Sequence, residues 1–160
     1  MLHPVLLFVP LDDRPVTGEA VAELAAAAGA KVRMPDRALL GDRDRPGEAA
    51  EIRRWLAGAV AAGADALIAS VEMLCFGGLV AARKSAAEFA EVMPALGQVL
   101  ELAAQLPAYL SAVVPRTPVV ATDEDPAYWA AYGEALRAAP GALDLPAEGA
   151  PGDALEAALA

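Results

Sequence analysis

Three charged side chains stand in a row at Asp12, Asp13 and Arg14, directly behind the apolar run Val5–Val9 and directly before Pro15. Glu72 follows the apolar stretch Ala66–Val71, and Arg116 with Thr117 follows Tyr109–Val114. Two carboxylates far apart in a chain but close in space can divide a hydrolysis between them. One acts as acid, the other as base or nucleophile, as in glycoside cleavage. Asp13 and Glu72 are the pair this sequence offers. Arg14 and Arg116 are the cations for an anionic or hydroxyl-rich substrate, because a guanidinium forks onto carboxylate or phosphate oxygens. Asp12 and Arg83 complete the polar substrate-binding set. Gly77-Gly78 ahead of a helix lets backbone amides approach a phosphate or carboxylate; a tight turn calls for the same pair. There is no P-loop and no dinucleotide-binding glycine pattern.

The same residues have a structural reading. Asp12 or Asp13 can cap a helix or bind loop amides, and Arg14 can form a surface ion pair of little worth. Glu72 directly after a buried strand needs a partner, since an unpaired buried charge is costly. Arg14 and Arg116 are the candidates. Other chemistries are excluded. His3 is the sole histidine and precedes the first strand, so neither a histidine triad nor a zinc site with several His or Cys ligands can form. Cys75, the sole cysteine, forms no intrachain disulfide and fits a reducing compartment; with no histidine to activate it, it reads as a packed thiol. No metal site is assigned, and the cofactor is unknown. A divalent cation held by Asp12, Asp13 and Glu72 is the one metal reading left open.

These side chains must be positioned by alternating strands and helices. The strands are read at Val5–Val9, Lys31–Met34, Ala66–Val71 and Tyr109–Val114, with a fifth, short one at Leu143–Leu145. Helical spacing runs through residues 18–28 (Ala20, Val21, Leu24, Ala28). It recurs in 47–62, where Ile52, Trp55, Leu56, Ala59 and Val60 share a stripe and Arg53 and Arg54 face water. Ser85 and Glu88 form a capping box ahead of a long helix carrying Phe89, Val92, Leu96, Val99 and Leu100, which Pro94 should kink or split. A further helix starts at Asp125-Pro126, with Trp129 and Tyr132 on its core face and Tyr128 within reach of a ligand. Gly41–Pro46 alternates charge and reads as a solvated loop that also overhangs the rim.

This βα alternation predicts an α/β fold with a parallel sheet of four or five strands. The sheet is either half of a (β/α)8 barrel or an open Rossmann-like three-layer arrangement. Residues 1–145 make the α/β domain, and 146–160 an Ala-, Gly- and Pro-rich tail. In both architectures chemistry gathers at the carboxyl ends of the strands, where Asp12, Asp13, Arg14, Glu72, Gly77, Gly78 and Arg116 all fall.

At 160 residues and 57% hydrophobic content, much of it alanine, the chain can bury a core unaided. The formal charge of −10 repels nucleic acid and anionic membranes, while leaving room for a small polar or anionic molecule in a locally basic cleft. No stretch approaches the roughly 20 apolar residues of a membrane helix. Val5–Val9 is too short for a signal-peptide core, so a cytoplasmic location is expected.

Three segments resemble the DUF4127 family, a domain of unknown function: "PLDDRPV" at 10–16, "SVEMLCFGGLVAAR" at 70–83, and "PRTP" at 115–118 with "YWAAYG" at 128–133. "LLGDRDRPG" is similar to the family's second loop. The family more often carries aspartate at position 72, tyrosine at 76 and serine at 82; here Glu72 keeps the charge on a longer side chain. Its members are considerably longer, which implies that this chain is an N-terminal portion. The resemblance implies no settled activity. Three functions are carried forward: a carbohydrate-active hydrolase using Asp13 and Glu72, a non-catalytic module binding a sugar phosphate or carboxylate, and a structural fragment that pairs with a second copy.

Overall fold

The structure, a computed structural model, describes residues 3–113 and residues 130, 133 and 134. The chain divides into two compact units, Met1–Val113 and Val114–Ala160, and the sheet lies in the first. The expected strand at 143–145, the helix from 125 and the boundary at 145 fall outside the described residues.

Four strands form the sheet: β1 (Val5–Val9), β2 (Lys31–Arg33), β3 (Ala66–Ser70) and β4 (Ala108–Ser111). All pairs are parallel and the spatial order is β2-β1-β3-β4. Between them run α1 (Glu19–Ala27), α2 (Ala49–Ala61), α3 (Val71–Phe76), α4 (Leu79–Lys84) and α5 (Phe89–Ala103). This is the α/β parallel sheet the alternation predicts. β1 lies between β2 and β3, so the strand order reverses there.

Alternation along each strand sends successive side chains to opposite faces. Leu7 and Val9 of β1 stand in register with Leu67 and Ala69 of β3, and all four are buried. Ile52, Leu56 and Ala59 of α2, Met73 and Leu74 of α3 and Val99 of α5 close over them as one core. Each large member contributes about 1.5–3 kcal/mol by leaving water. On the other face Phe8, Ile68 and Tyr109 lie side by side in register, but exposure rises across them from 9% to 38% to 71%. The apolar runs suggest strands buried on both faces; this second face is covered at β1 and opens toward β4.

Four local expectations need correction. β3 ends at Ser70, because Ser70 caps a helix there instead of extending the strand to Val71. The capping box lies three residues later than read. Ser85 already terminates α4, and the Glu91 carboxylate reaches back to the Glu88 N–H at 2.9 Å. Pro94 does not split α5; it is the sixth residue of the helix, so only the carbonyl of Ala90 loses its amide partner. Leu24, on the expected stripe of α1, is 72% exposed.

Candidate functional site

The loop leaving β1 is organised by Asp12. Its carboxylate accepts the Arg14 backbone N–H at 3.3 Å, Arg14 Nε at 2.8 Å and the Thr17 hydroxyl, and it pairs with Arg14 Nη2 at 2.7 Å. An aspartate binding its own loop two residues on is the usual Asx turn. Partial burial alone would raise the Asp12 carboxyl, but the hydrogen bonds from Arg14 and Thr17 outweigh it and hold the group below the ordinary carboxylate value. The same contact raises Arg14 above its ordinary value. Asp13, next in the chain, is partly buried and makes no hydrogen bond among the described residues.

The loop after β2 repeats the device. Asp42 accepts the backbone N–H groups of Asp44 and Arg45, each at 2.9 Å, and a two-pronged contact from the Arg45 guanidinium at 2.9 and 2.7 Å. The Arg45 hydrogen bond, with help from the two amides, lowers the Asp42 carboxyl. Arg43, between them, makes no ion pair among the described residues.

At β3 the chain turns straight into α3. Ser70 Oγ accepts the Met73 N–H at 3.4 Å and donates to Glu72 Oε2 at 2.7 Å. The other Glu72 oxygen accepts the Val113 N–H. Glu72 is 7% exposed and makes no ion pair among the described residues; Arg14, one of its two expected partners, is held by Asp12. α3 stops at Gly77, whose φ of +82° is the left-handed cap conformation. The Gly77 N–H donates to the Met73 carbonyl and the Gly78 N–H to the Glu72 carbonyl, both at 3.1 Å, so both amides are already engaged. Gly77 also lies against Gly47, whose N–H donates to the Gly77 carbonyl at 2.8 Å. A Cβ on Gly77 would sit 2.2 Å from the Gly47 carbonyl oxygen.

These loops enclose a cleft of about 550 Å³ at the carboxyl ends of β1 and β3, next to the point where the strand order reverses; carboxyl strand ends are where parallel sheets gather their ligands. Asp12, Asp13, Gly77 and Gly78 line it. Glu72 does not line it, and neither does Arg83, which is exposed in the last turn of α4. Arg14 lines a smaller neighbouring cleft of about 200 Å³, shared with Asp12 and Asp13. Arg116, Thr117 and Tyr128 fall outside the described residues. Gly41–Pro46 does overhang the rim, contributing Asp42 to Pro46 to the wall.

Four cations of the wall are absent from the sequence-derived set: Arg43, Arg45, Arg53 and Lys84. Arg53 does not simply face water. Its guanidinium donates to the Leu74 carbonyl at 2.5 Å and to Gln98 Oε1 at 3.1 Å. Only its place off the apolar stripe was visible in the sequence, and that is compatible with either outcome. Arg43 carried a signal, since it lies in the charged loop Gly41–Pro46 of the connection that follows β2. Cys75 also lines the cleft; burial pushes its thiol up, Arg53 pulls the other way more weakly, and so little thiolate forms at neutral pH. Among the described residues no three His, Cys, Asp or Glu side chains converge to hold an ion, so Asp12, Asp13 and Glu72 do not form the carboxylate cage left open above. Among the same residues no helix is long and apolar enough to cross a membrane.

Neither curated proteins nor solved structures yield a match to this chain. The model of the protein family DUF4127, of unknown function, matches residues 6–158. That span takes in the Asp12–Arg14 loop, the charged loop after β2 and the Ser70–Gly78 turn, and by it the chain belongs to the DUF4127 family.

Proposed function

We propose that the cleft binds a small hydroxylated anion, a sugar phosphate or sugar acid, with Asp13 as the carboxylate that meets its hydroxyl groups. The observation that carries this is Asp13 itself: partly buried, on the cleft wall, and without a hydrogen bond among the described residues. Asp12 and Asp42 are neutralised by their own arginines and add little repulsion. Arg43 and Lys84 bring positive charge to the same wall from two elements. The volume lies within the roughly 300–1,000 Å³ of small-molecule sites. Because the Gly77 and Gly78 amides are engaged, the anion falls to the side-chain cations.

The test is thermal stabilisation of the full chain by sugar phosphates, sugar acids and neutral sugars. A ligand at a hundred times its Kd should stabilise by about 2.7 kcal/mol. Arg43→Gln should weaken the response to anions, and Asp13→Asn the preference for hydroxylated anions over inorganic phosphate. No response to any anion would defeat the proposal.

The same carboxylate favours a hydrolytic reading, in which Asp13 serves as base or nucleophile in glycoside cleavage. Turnover of aryl glycosides should then fall about 100-fold or more in Asp13→Asn. Activity that survives unchanged in both Asp13→Ala and Glu72→Ala would remove this assignment.

A further inference from the structure

Glu72 sits where the sheet comes apart. β3 and β4 stay in register as far as Ser70 and Ser111, and at Val71 the β3 chain leaves the sheet as α3. The chain of β4 continues, and at Val113 its N–H lies beyond the last rung of the ladder. The Glu72 carboxylate supplies the missing acceptor, one oxygen taking the Val113 N–H and the other the Ser70 hydroxyl at 2.7 Å. Ser70 Oγ in turn accepts the Met73 N–H, and the Glu72 carbonyl accepts the Gly78 N–H. One residue thereby ties together the start of α3, its glycine stop and the exit of β4.

We infer that Glu72 is a positioning residue. Its carboxylate acts as a surrogate rung of the sheet that sets the direction in which the chain leaves β4 at the rim, and it takes no part in proton transfer. Both oxygens are engaged by neutral donors, the side chain is 7% exposed, and it is absent from the cleft wall. The rung stands independently of the ligand proposal, which gains from it only that Asp13 is the working carboxylate.

Reach and charge can be separated by substitution. Glutamine keeps the reach without the charge: its oxygen can face Val113 and its amide can donate to Ser70. Aspartate keeps the charge and falls one methylene short. Amide hydrogen exchange on the full chain reads the rung directly, because Val113 is itself exposed. Protection of the Val113 amide should fall about tenfold or more in Glu72→Ala and Glu72→Asp, and stay within about threefold of wild type in Glu72→Gln. Ligand response and any turnover should follow the same order. If Glu72→Ala does not fold, the Gln and Asp variants carry the comparison. The inference is overturned if Glu72→Gln loses function while Val113 stays protected, or if Val113 is unprotected in wild type. A wild-type chain with Val113 protected and no ligand response would leave the rung standing and defeat the ligand proposal alone.

Discussion

The carboxyl ends of β1 and β3 are neighbours in the sheet, and each is followed within four residues by an acidic side chain, yet the two rims treat their charges in opposite ways. Behind β1 the chain makes a loop, Asp12 gathers the loop's donors, and Asp13 is left facing the cleft. Behind β3 it makes a helix at once, and Glu72 is drawn inside to serve two donors. An acid after an apolar strand is therefore one sequence signature with two outcomes. What separates them is the number of local donors and how soon the backbone turns inward.

The contrast can be broken most severely at Gly77. A side chain there meets both a positive φ and the Gly47 backbone, so Gly77→Ala should cost about 3 kcal/mol or more in urea unfolding. Glu72→Ala comes next, at about 1–3 kcal/mol, as the Ser70 and Val113 donors lose a charged acceptor. A cost near zero would make the β3 rim as loose as that of β1.

Asp12 should show itself through acid. Its folded value lies below the ordinary one, so its contribution is present above the ordinary carboxylate value of 3.8 and is lost as pH falls through the lowered value. Asp12→Asn should flatten that part of the acid limb, read as unfolding midpoint against pH. The smallest stability effect belongs to Asp13→Asn, within about 0.5 kcal/mol of wild type, although this variant should have the largest effect on ligand discrimination. A strongly destabilised Asp13→Asn would place Asp13 with Glu72 as a structural acid.

Much of the β1 side was legible in the sequence. Val5–Val9 ends in a proline and three charges, so strand, loop and rim position follow from apolar run and punctuation alone. The β3 side was less so. Val71 is as apolar as the strand before it, and only the Ser70 cap and the Gly77 stop mark out the short helix between them. Six residues are too few to show a helical period. Ser85 and Glu88 match a capping box in type and spacing, but the preceding turn of α4 had already claimed Ser85. Arg53 could not be placed, because a position beside an apolar stripe says nothing of the carbonyl it meets on another element. The strand order was equally out of reach, since βα alternation does not say which strands become neighbours.

The backbone contact between Gly47 and Gly77 has a bearing on redesign of the cleft. Two loops from different crossovers meet there with no room for a methyl group on Gly77, and a Cβ on Gly47 would press on the carbonyls of Leu39 and Leu40 at 2.8 Å. Libraries meant to retarget the crevice should vary Arg43, Asp44 and Val80 and hold both glycines constant. A selected clone that carries a larger residue at 47 or 77 will have shifted a whole loop, and its altered specificity will trace to that shift before any new side-chain contact.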